Sequence, residues 1–304
     1  MIHGITFAPF ARRGAFTRPE AFHSAELLVE RTGANFVMLV PAGLQEHAYS
    51  EEIGWDGTVS DEELAAMIGY FHSLGVQVAL KPTVNCKDGT WRAHIAFFDQ
   101  DVVCEPKWSS WFRAYTAFQC HYAAIAEQCG CEMFVAGCEM VMSEHREAEW
   151  RQLIADIRQV YHGPVSYNTD KYQEDHVTWW DAVDVISSSG YYPIDDWESQ
   201  LDRIEAVVEK FQKPFFFAEC GCMSASGSSH VPNDWGVRGG VSPEEQASWY
   251  RAMFEAISRR PWVGGTCLWS WAGRMYPPEH APEERGYDIC YKPAEQVVRE
   301  AYRG

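Results

Sequence analysis

The chain has 304 residues, of which 46% are hydrophobic and 22% are charged. This composition is ordinary for a globular protein with a sizeable core, and it argues against disorder as the main state. Forty-three acidic and 25 basic residues give a formal net charge of −18, which repels polyphosphate and argues against sequence-independent binding of nucleic acid.

Short apolar runs alternate with longer helical segments along the whole chain, which is the pattern of a parallel sheet covered by helices. Each run is nearly continuous in apolar residues, as expected of a strand that is covered on both faces. The runs comprise residues 2 to 7, 35 to 40, 76 to 81, 132 to 137, 164 to 168, 183 to 188, 214 to 218 and 263 to 269. Eight such strands predict an α/β protein, a (β/α)₈ TIM barrel.

We predict one catalytic domain, residues 1 to 304, because no internal repeat, low-complexity tract or linker marks a second one. A doubly wound open sheet is the structural alternative. That fold would lead us to expect a glycine-rich phosphate-binding motif after the first strand, and Gly4 and Gly14 do not form one.

Several helix starts and two long loops have clear sequence signals. Ser60 with Glu63, and Ser242 with Glu245, are capping-box patterns. A helix is predicted over residues 107 to 129, after an irregular loop that begins at Thr83. The loop at residues 221 to 241 is rich in Ser, Gly, Asn and Asp, and long unstructured loops are uncommon unless they are functional or mobile. We expect both loops to border the active site, since loops after strands carry function in a barrel.

Two carboxylates follow apolar strand runs at the barrel end where active sites lie: Glu139 after the fourth strand and Glu219 after the seventh. Partial desolvation there would raise the pKa of either carboxyl group unless a partner compensates. Retaining glycosidases need two carboxyl groups about 5 Å apart. The ends of the fourth and seventh strands can face each other across a barrel mouth, so this pair is the candidate catalytic machinery.

Six short segments, in this order and spacing, resemble clan A of the glycoside hydrolases, and within it family 113, the β-mannanase family, over nearly the whole chain. The segments are LKPTVN (80 to 85), VAGCEM (135 to 140), SGYYP (189 to 193), FFFAECG (215 to 221), LWSW (268 to 271) and YKPAEQVV (291 to 298). The resemblance implies Glu139 as acid/base, Glu219 as nucleophile and Trp269 as a sugar platform. Much of the clan has Asn where this chain has Cys138, which leaves the contact with the sugar 2-hydroxyl open.

Further site residues are predicted from their positions at strand ends and on the two long loops. We expect Tyr192, after the sixth strand, to donate a hydrogen bond to Glu219. The expected substrate-binding residues are Lys81, Asn85, Trp91, Asn168, Trp235 and Trp269. Trp179 is a further candidate for an outer subsite, whereas Trp271 is expected to pack or to lie at the rim.

The start of the chain, MIHGITFAPF, lacks the features of a signal peptide, so we expect a soluble cytoplasmic protein with reduced cysteines. No apolar run is long enough for a membrane span. The pairs Cys129/Cys131 and Cys220/Cys222 are too closely spaced for structural zinc, and the histidines form no HExxH pattern. We therefore expect no metal, no cofactor, and neither nucleic acid nor a membrane as partner.

The function implied by the resemblance is retaining hydrolysis of β-1,4-mannosidic bonds in mannan or manno-oligosaccharides by double displacement. Retaining action on another β-linked sugar such as a β-glucoside, transglycosylation, and a non-catalytic carbohydrate-binding barrel stay open. A barrel isomerase or metal-dependent lyase should show a metal cluster or a phosphate site, and neither is visible. The sequence leaves endo or exo action and the oligomeric state open.

Overall fold

A computed structural model describes every residue from Met1 to Gly304. Eight parallel strands close into a barrel with the neighbour order β1, β2, β4, β6, β7, β8, β9, β10, and β3 pairs with β5 in a separate two-stranded sheet. The strands are β1 (Ile2–Phe7), β2 (Phe36–Leu39), β3 (Ala42–Gln45), β4 (Gln77–Leu80), β5 (Thr83–Cys86), β6 (Met133–Cys138), β7 (Val165–Thr169), β8 (Val185–Ser189), β9 (Phe215–Cys220) and β10 (Val263–Trp271). All eight predicted barrel strands are present within about two residues, so the predicted fold class is confirmed.

Seven α-helices surround the barrel. They are α1 (Pro19–Thr32), α2 (Asp61–Ser73), α3 (Trp108–Cys129), α4 (Glu147–Ile157), α5 (Trp197–Phe211), α6 (Pro243–Ser258) and α7 (Pro293–Arg303). The connection from β7 to β8 carries only a short 3₁₀ helix, Trp180–Ala182, where the other barrel units have an α-helix. None of the helices is long and apolar enough to cross a membrane.

Trp179 lies in the connection from β7 to β8, directly before the short 3₁₀ helix. Its ring is fully buried and stacks on Trp150 of α4 with a centroid separation of 5.0 Å. The prediction that Trp179 lines an outer subsite is therefore wrong, because its large apolar ring covers β7 instead.

The core divides into an outer and an inner layer because each strand is covered on both faces. The outer layer, between strands and helices, is a cluster of 70 buried residues. The inner layer fills the barrel with nine residues, among them Phe36, Met38, Met133 and Phe216. This apolar filling makes the barrel a packed core, so polar chemistry is confined to its ends.

The two predicted capping boxes have different outcomes. At the start of α2, Ser60 Oγ accepts from the Glu63 N–H at 3.2 Å and Glu63 Oε2 accepts from the Ser60 N–H at 2.9 Å, so this box is confirmed. At the start of α6, Ser242 makes no capping bond. The Glu245 carboxylate instead accepts the N–H groups of Gly227 and Ser229 at 3.1 and 3.0 Å, because these loop donors compete for it.

Candidate active site

A cavity of about 490 Å³ opens at the C-terminal ends of the barrel strands and holds both predicted carboxylates, Glu139 and Glu219. Of the predicted substrate-binding residues, Asn85, Trp91, Trp235 and Trp269 line it. The other lining residues are Phe10, Cys86, Gly89, Thr90, Arg92, Asp170, Lys171, Tyr191 and Asn233. The loops after β5 and β9 both contribute, as expected for loops that border the site.

Glu139 and Glu219 lie close enough for one reaction. Glu139 directly follows β6, and Glu219 is near the end of β9. One oxygen of each carboxylate and the Cys138 sulfur lie within 4.8 Å of one another. Retaining glycosidases hold their two carboxyl groups about 5 to 5.5 Å apart, whereas inverting enzymes need about 6.5 to 9.5 Å for an intervening water. The spacing favours retention.

The backbone at Glu139 is strained. Its φ of 54° lies in the left-handed region, which non-glycine residues rarely adopt. The Glu139 N–H donates to the Asn168 carbonyl at 2.7 Å, which ties the residue to the end of β7. Such strain persists only where the surrounding structure over-determines it, and it clusters at functional sites.

Glu219 is held as a carboxylate by the groups around it. Its Oε1 forms an ion pair with the fully buried Lys81 ammonium and accepts from Cys138 Sγ at 3.3 Å, and its Oε2 accepts from the Tyr191 hydroxyl at 3.1 Å. Burial alone would raise the pKa of Glu219, but Lys81 and Arg92 outweigh burial and bring the pKa below its ordinary value. A carboxylate that stays ionised suits nucleophilic attack.

Glu139 is oriented by three donors. Arg92 Nη1 and Trp91 Nε1 donate to its Oε2 at 2.7 and 3.2 Å, and Ser189 Oγ donates to its Oε1 at 2.7 Å. The prediction from sequence missed Arg92 and Ser189. Ser189 ends β8 and could have been found by the strand-end rule, whereas Arg92 lies in the loop after β5 and gives no such signal.

The tyrosine that contacts Glu219 is Tyr191, so the prediction that Tyr192 donates to Glu219 is wrong. The Tyr192 hydroxyl donates to Glu174 Oε1 at 2.5 Å, and its ring packs edge to face on Trp197 of α5. Successive side chains of an extended segment point to opposite sides. Directly after β8, this alternation sends Tyr191 into the cavity and Tyr192 outward towards the helices.

Lys81 and Asn168 lie below the cavity. Both side chains are fully buried and neither lines the cavity, so the prediction that they contact substrate is wrong. Lys81 donates to Asn168 Oδ1 at 3.1 Å as well as pairing with Glu219. The physical reason is that a buried carboxylate needs a buried cation, and the cation in turn needs acceptors for its other protons.

Exposed aromatic rings border the cavity. Trp91 and Trp235 are 41% and 65% exposed, although both are large apolar side chains. Trp269 also lines the cavity, with its ring 5.6 Å from Phe10 and 6.2 Å from Trp235. Flat rings with one exposed face suit the apolar faces of sugars. Trp271 instead packs, donating from Nε1 to the Ser24 carbonyl at 3.1 Å.

Asp170 and Lys171 also line the cavity and were missed. Asp170 follows β7 as directly as Glu139 follows β6, which is the signal that could have found it. Its Oδ2 lies 3.5 Å from the Lys171 ammonium. Burial and the nearby charge of Glu139 raise the pKa of Asp170 to about 7. These two residues place polar groups on the Glu139 side of the cavity.

Cys138, Glu139 and Glu219 are the one cluster of potential metal ligands in the structure. Each carboxylate already has an ion-pair partner, Lys81 for Glu219 and Arg92 for Glu139. Burial raises the pKa of the Cys138 thiol well above its ordinary value, whereas metal coordination requires the thiolate. The cluster therefore suits proton and sugar chemistry better than metal binding.

Comparison with known proteins identifies close relatives over the full chain. The sequence model of Glycoside Hydrolase Family 113 matches residues 5–292. A structure of a GH113 β-1,4-mannanase in a complex is 51% identical, with a TM-score of 0.99, covering 100% of this chain and 99% of that one. The GH113 β-mannanase of Alicyclobacillus acidocaldarius in complex with ManMIm is 45% identical, with a TM-score of 0.96, covering 99% of this chain and 97% of that one.

More distant structures share the fold alone. A β-glucuronidase of Ruminococcus gnavus is 13% identical with a TM-score of 0.67, and the match covers 99% of this chain but only 49% of that one. A comparison with curated protein sequences finds no match.

Proposed function

The chain belongs to glycoside hydrolase family 113, and from that membership we propose that it is a retaining β-1,4-mannanase acting on mannan or manno-oligosaccharides. It is a glycoside hydrolase of the same family as the two β-mannanase structures above. The proposed mechanism rests on one observation. An oxygen of Glu139 and an oxygen of Glu219 lie within 4.8 Å of each other in the barrel-end cavity.

In the first step, Glu219 attacks the anomeric carbon while protonated Glu139 gives its proton to the departing oxygen. The glycosidic C–O bond breaks as the bond to Glu219 forms, which gives a covalent glycosyl ester. Lys81 and Tyr191 stabilise the carboxylate of Glu219 before attack through their contacts with its two oxygens.

In the second step, Glu139 removes a proton from a water molecule that attacks the same carbon and releases Glu219. The proton that Glu139 takes from water restores its protonated form for the next cycle. Arg92, Trp91 and Ser189 hold this carboxyl group in place through contacts with its two oxygens.

Trp269 supplies the apolar platform in the cavity of the reacting carboxylates, and the exposed rings of Trp91 and Trp235 add further apolar surface. We further propose that residues 1 to 304 act as one catalytic domain in the cytoplasm. The ten cysteines, all present as free thiols, support a reducing compartment.

The test is to incubate the wild type and Glu219→Ala with β-mannosyl and β-glucosyl oligosaccharides and to follow the released anomer by NMR. Release of the β-anomer from mannosides by the wild type alone is expected. Release of the α-anomer would overturn retention, and equal activity of Glu219→Ala would overturn its role as nucleophile.

A second variant distinguishes the role of Glu139 from that of Glu219. Glu139→Ala should keep the first step for an aryl β-mannoside with a very acidic leaving group, because that leaving group needs no proton. Added azide should then restore turnover and give a β-mannosyl azide, since azide needs no general base. Absence of this rescue would contradict the assignment of Glu139.

A further inference from the structure

A second cavity, of about 530 Å³, lies between the loop after β1 and the loop after β10. Four arginines line it, Arg12, Arg13, Arg18 and Arg274, together with the acidic residues Glu20 and Asp288. In a chain of net charge −18, this concentration of positive charge around one cavity is unusual. We refer to it below as the arginine cavity.

Three of the four arginines of this cavity have no partner in the protein, as is also true of the exposed Arg113 and Arg251, whereas several other arginines are paired. Arg151 and Arg203 each pair with two carboxylates, and Arg260 pairs with three. The guanidinium groups of Arg12, Arg18 and Arg274, in contrast, form no ion pair or hydrogen bond with the protein, although Glu20 and Asp288 lie in the same cavity.

The backbone that carries these arginines is fixed. Arg12 forms a β-bridge with Thr58, and the Arg13 N–H donates to the Gly57 carbonyl at 3.0 Å. Arg13 Nε donates to the Asp56 carbonyl at 2.8 Å. Arg18 is the N-cap residue of α1, whose first turn begins at Pro19. Arg12, Arg13 and Arg18 therefore need no backbone ordering when a ligand binds, which lowers the entropy cost of binding.

Asp288, which lines the cavity, forms no ion pair with the arginines. Asp288 Oδ1 accepts the Ala272 N–H at 2.8 Å, so this side chain is committed to the loop after β10. Burial, together with the charge of Glu284, raises the pKa of Asp288 to about 7. This carboxyl group is therefore about half protonated at pH 7, which weakens its repulsion of an anion.

We propose that the arginine cavity is a binding site for a phosphate group, either inorganic phosphate or the phosphate of a sugar phosphate. Guanidinium forks match phosphate oxygens geometrically, and charge-assisted bonds of this kind are among the strongest in proteins. A phosphate dianion supplies the negative charge and the acceptor oxygens that unpaired guanidinium groups around one cavity favour. The site is separate from the catalytic cavity, whose lining shares no residue with it.

The two cavities nevertheless share two backbone segments. Pro9 and Ser270 line the arginine cavity, while their neighbours Phe10 and Trp269 line the catalytic cavity. Ala8 and Phe10 both have φ values in the left-handed region, 43° and 59°. A ligand in the arginine cavity would therefore contact the outer side of a strained segment that carries part of the catalytic wall.

The test is a calorimetric titration of the full chain at pH 7 and low ionic strength with inorganic phosphate, mannose 6-phosphate and, as the neutral probe, mannose. The main variant is Arg18→Met with Arg274→Met. The matched control is Arg113→Met with Arg251→Met, which removes two exposed arginines that also lack partners but lie outside the cavity.

We expect saturable binding of a phosphate probe by the wild type and the control, weakened by about tenfold or more in the main variant. Equal binding of both phosphate probes would identify inorganic phosphate as sufficient, and binding of mannose 6-phosphate alone would identify a sugar phosphate. Absence of saturable binding, or equal affinity in the main variant, would overturn the proposal. Because no turnover is measured, the result does not depend on the proposed mannanase activity.

Discussion

Lys81 sets the charge state of the candidate nucleophile from below the cavity. Its side chain is fully buried and contacts Glu219, Asn168 and the Ala218 carbonyl. Burial would lower the pKa of Lys81, but the negative charge of Glu219 opposes burial, and the pKa lies above its ordinary value. The Lys81–Glu219 ion pair thus positions Glu219 and controls its charge, although neither Lys81 nor Asn168 lines the catalytic cavity.

We predict that Lys81→Met raises the pKa of Glu219, since burial then acts without its main opposing charge. The acidic limb of the kcat/KM profile against pH should move to higher pH. Unfolding should be easier by about 3 to 5 kcal/mol, the usual cost of leaving a buried charge unpaired.

The control for this prediction is Lys81→Met combined with Glu219→Gln, which removes both charges. It should recover much of the lost free energy of unfolding in urea denaturation, although it has no activity. An unchanged acidic limb in Lys81→Met would show that Lys81 does not govern the ionisation of Glu219.

The neighbouring tyrosines offer a matched pair of variants. Tyr191→Phe removes the 3.1 Å bond to Glu219 and should lower kcat by about tenfold to a hundredfold, as expected for a lost bond to a charged group. Tyr192→Phe removes the bond to Glu174 and should leave kcat near that of the wild type while reducing stability by about 1 to 3 kcal/mol. Steady-state kinetics and urea unfolding of both variants check this, and the reverse pattern would contradict it.

At the scale of elements, the loop after β9 is held by the helix that follows it. Glu245, in the first turn of α6, accepts from the N–H groups of Gly227 and Ser229 and from the Ser229 hydroxyl. Burial raises the pKa of Glu245, but these bonds outweigh burial and bring the pKa below its ordinary value. Glu245 therefore attaches the loop that carries Trp235 to α6. The sequence pattern instead assigns Glu245 to a capping box.

The different roles of Ser60 and Ser242 can be measured directly. Ser60→Ala should lower the free energy of unfolding by about 1 kcal/mol, because it removes a capping bond that the structure contains. Ser242→Ala removes no such bond and should change the free energy of unfolding by less than about 0.5 kcal/mol. Equal losses in thermal or urea unfolding would show that Ser242 caps α6 after all.

At the scale of the whole molecule, buried carboxyl groups set how stability varies with pH. Burial raises the pKa of Glu144 to about 8 and that of Asp170 and Asp288 to about 7. The folded state holds these protons at pH values where the unfolded chain has lost them, so these groups destabilise the fold increasingly as pH rises towards 8. Glu219 and Glu245, with lowered pKa values, stabilise the fold above their ordinary pKa and lose this effect in acid.

Together these opposing effects predict a melting temperature that is highest near about pH 5 and falls towards pH 8. Glu144→Gln keeps an acceptor for the Tyr167 and Thr169 hydroxyls but cannot ionise. It should raise the melting temperature more at pH 8 than at pH 5, measured by calorimetry. An equal change at both pH values would contradict the raised pKa of Glu144.

The amino-acid sequence was sufficient to predict the barrel and to locate its two central carboxylates. Each barrel strand is a nearly continuous apolar run, and such a run is a local property that can be recognised without tertiary contacts. Glu139 and Glu219 could be selected because active sites of this fold lie where strands end. Their catalytic roles stay predictions, whereas family membership and the glycoside hydrolase class are confirmed.

The tertiary structure decided which side chains reach these carboxylates. Arg92 contacts Glu139 across 47 residues of chain, and Lys81 contacts Glu219 across 138. The choice of Tyr191 over Tyr192 depends on how the chain leaves β8, since a one-residue change reverses the direction of a side chain. Local sequence patterns specify strands and their ends, but the partners of a buried charge are set by which loops converge above the barrel, and that depends on the closed sheet as a whole.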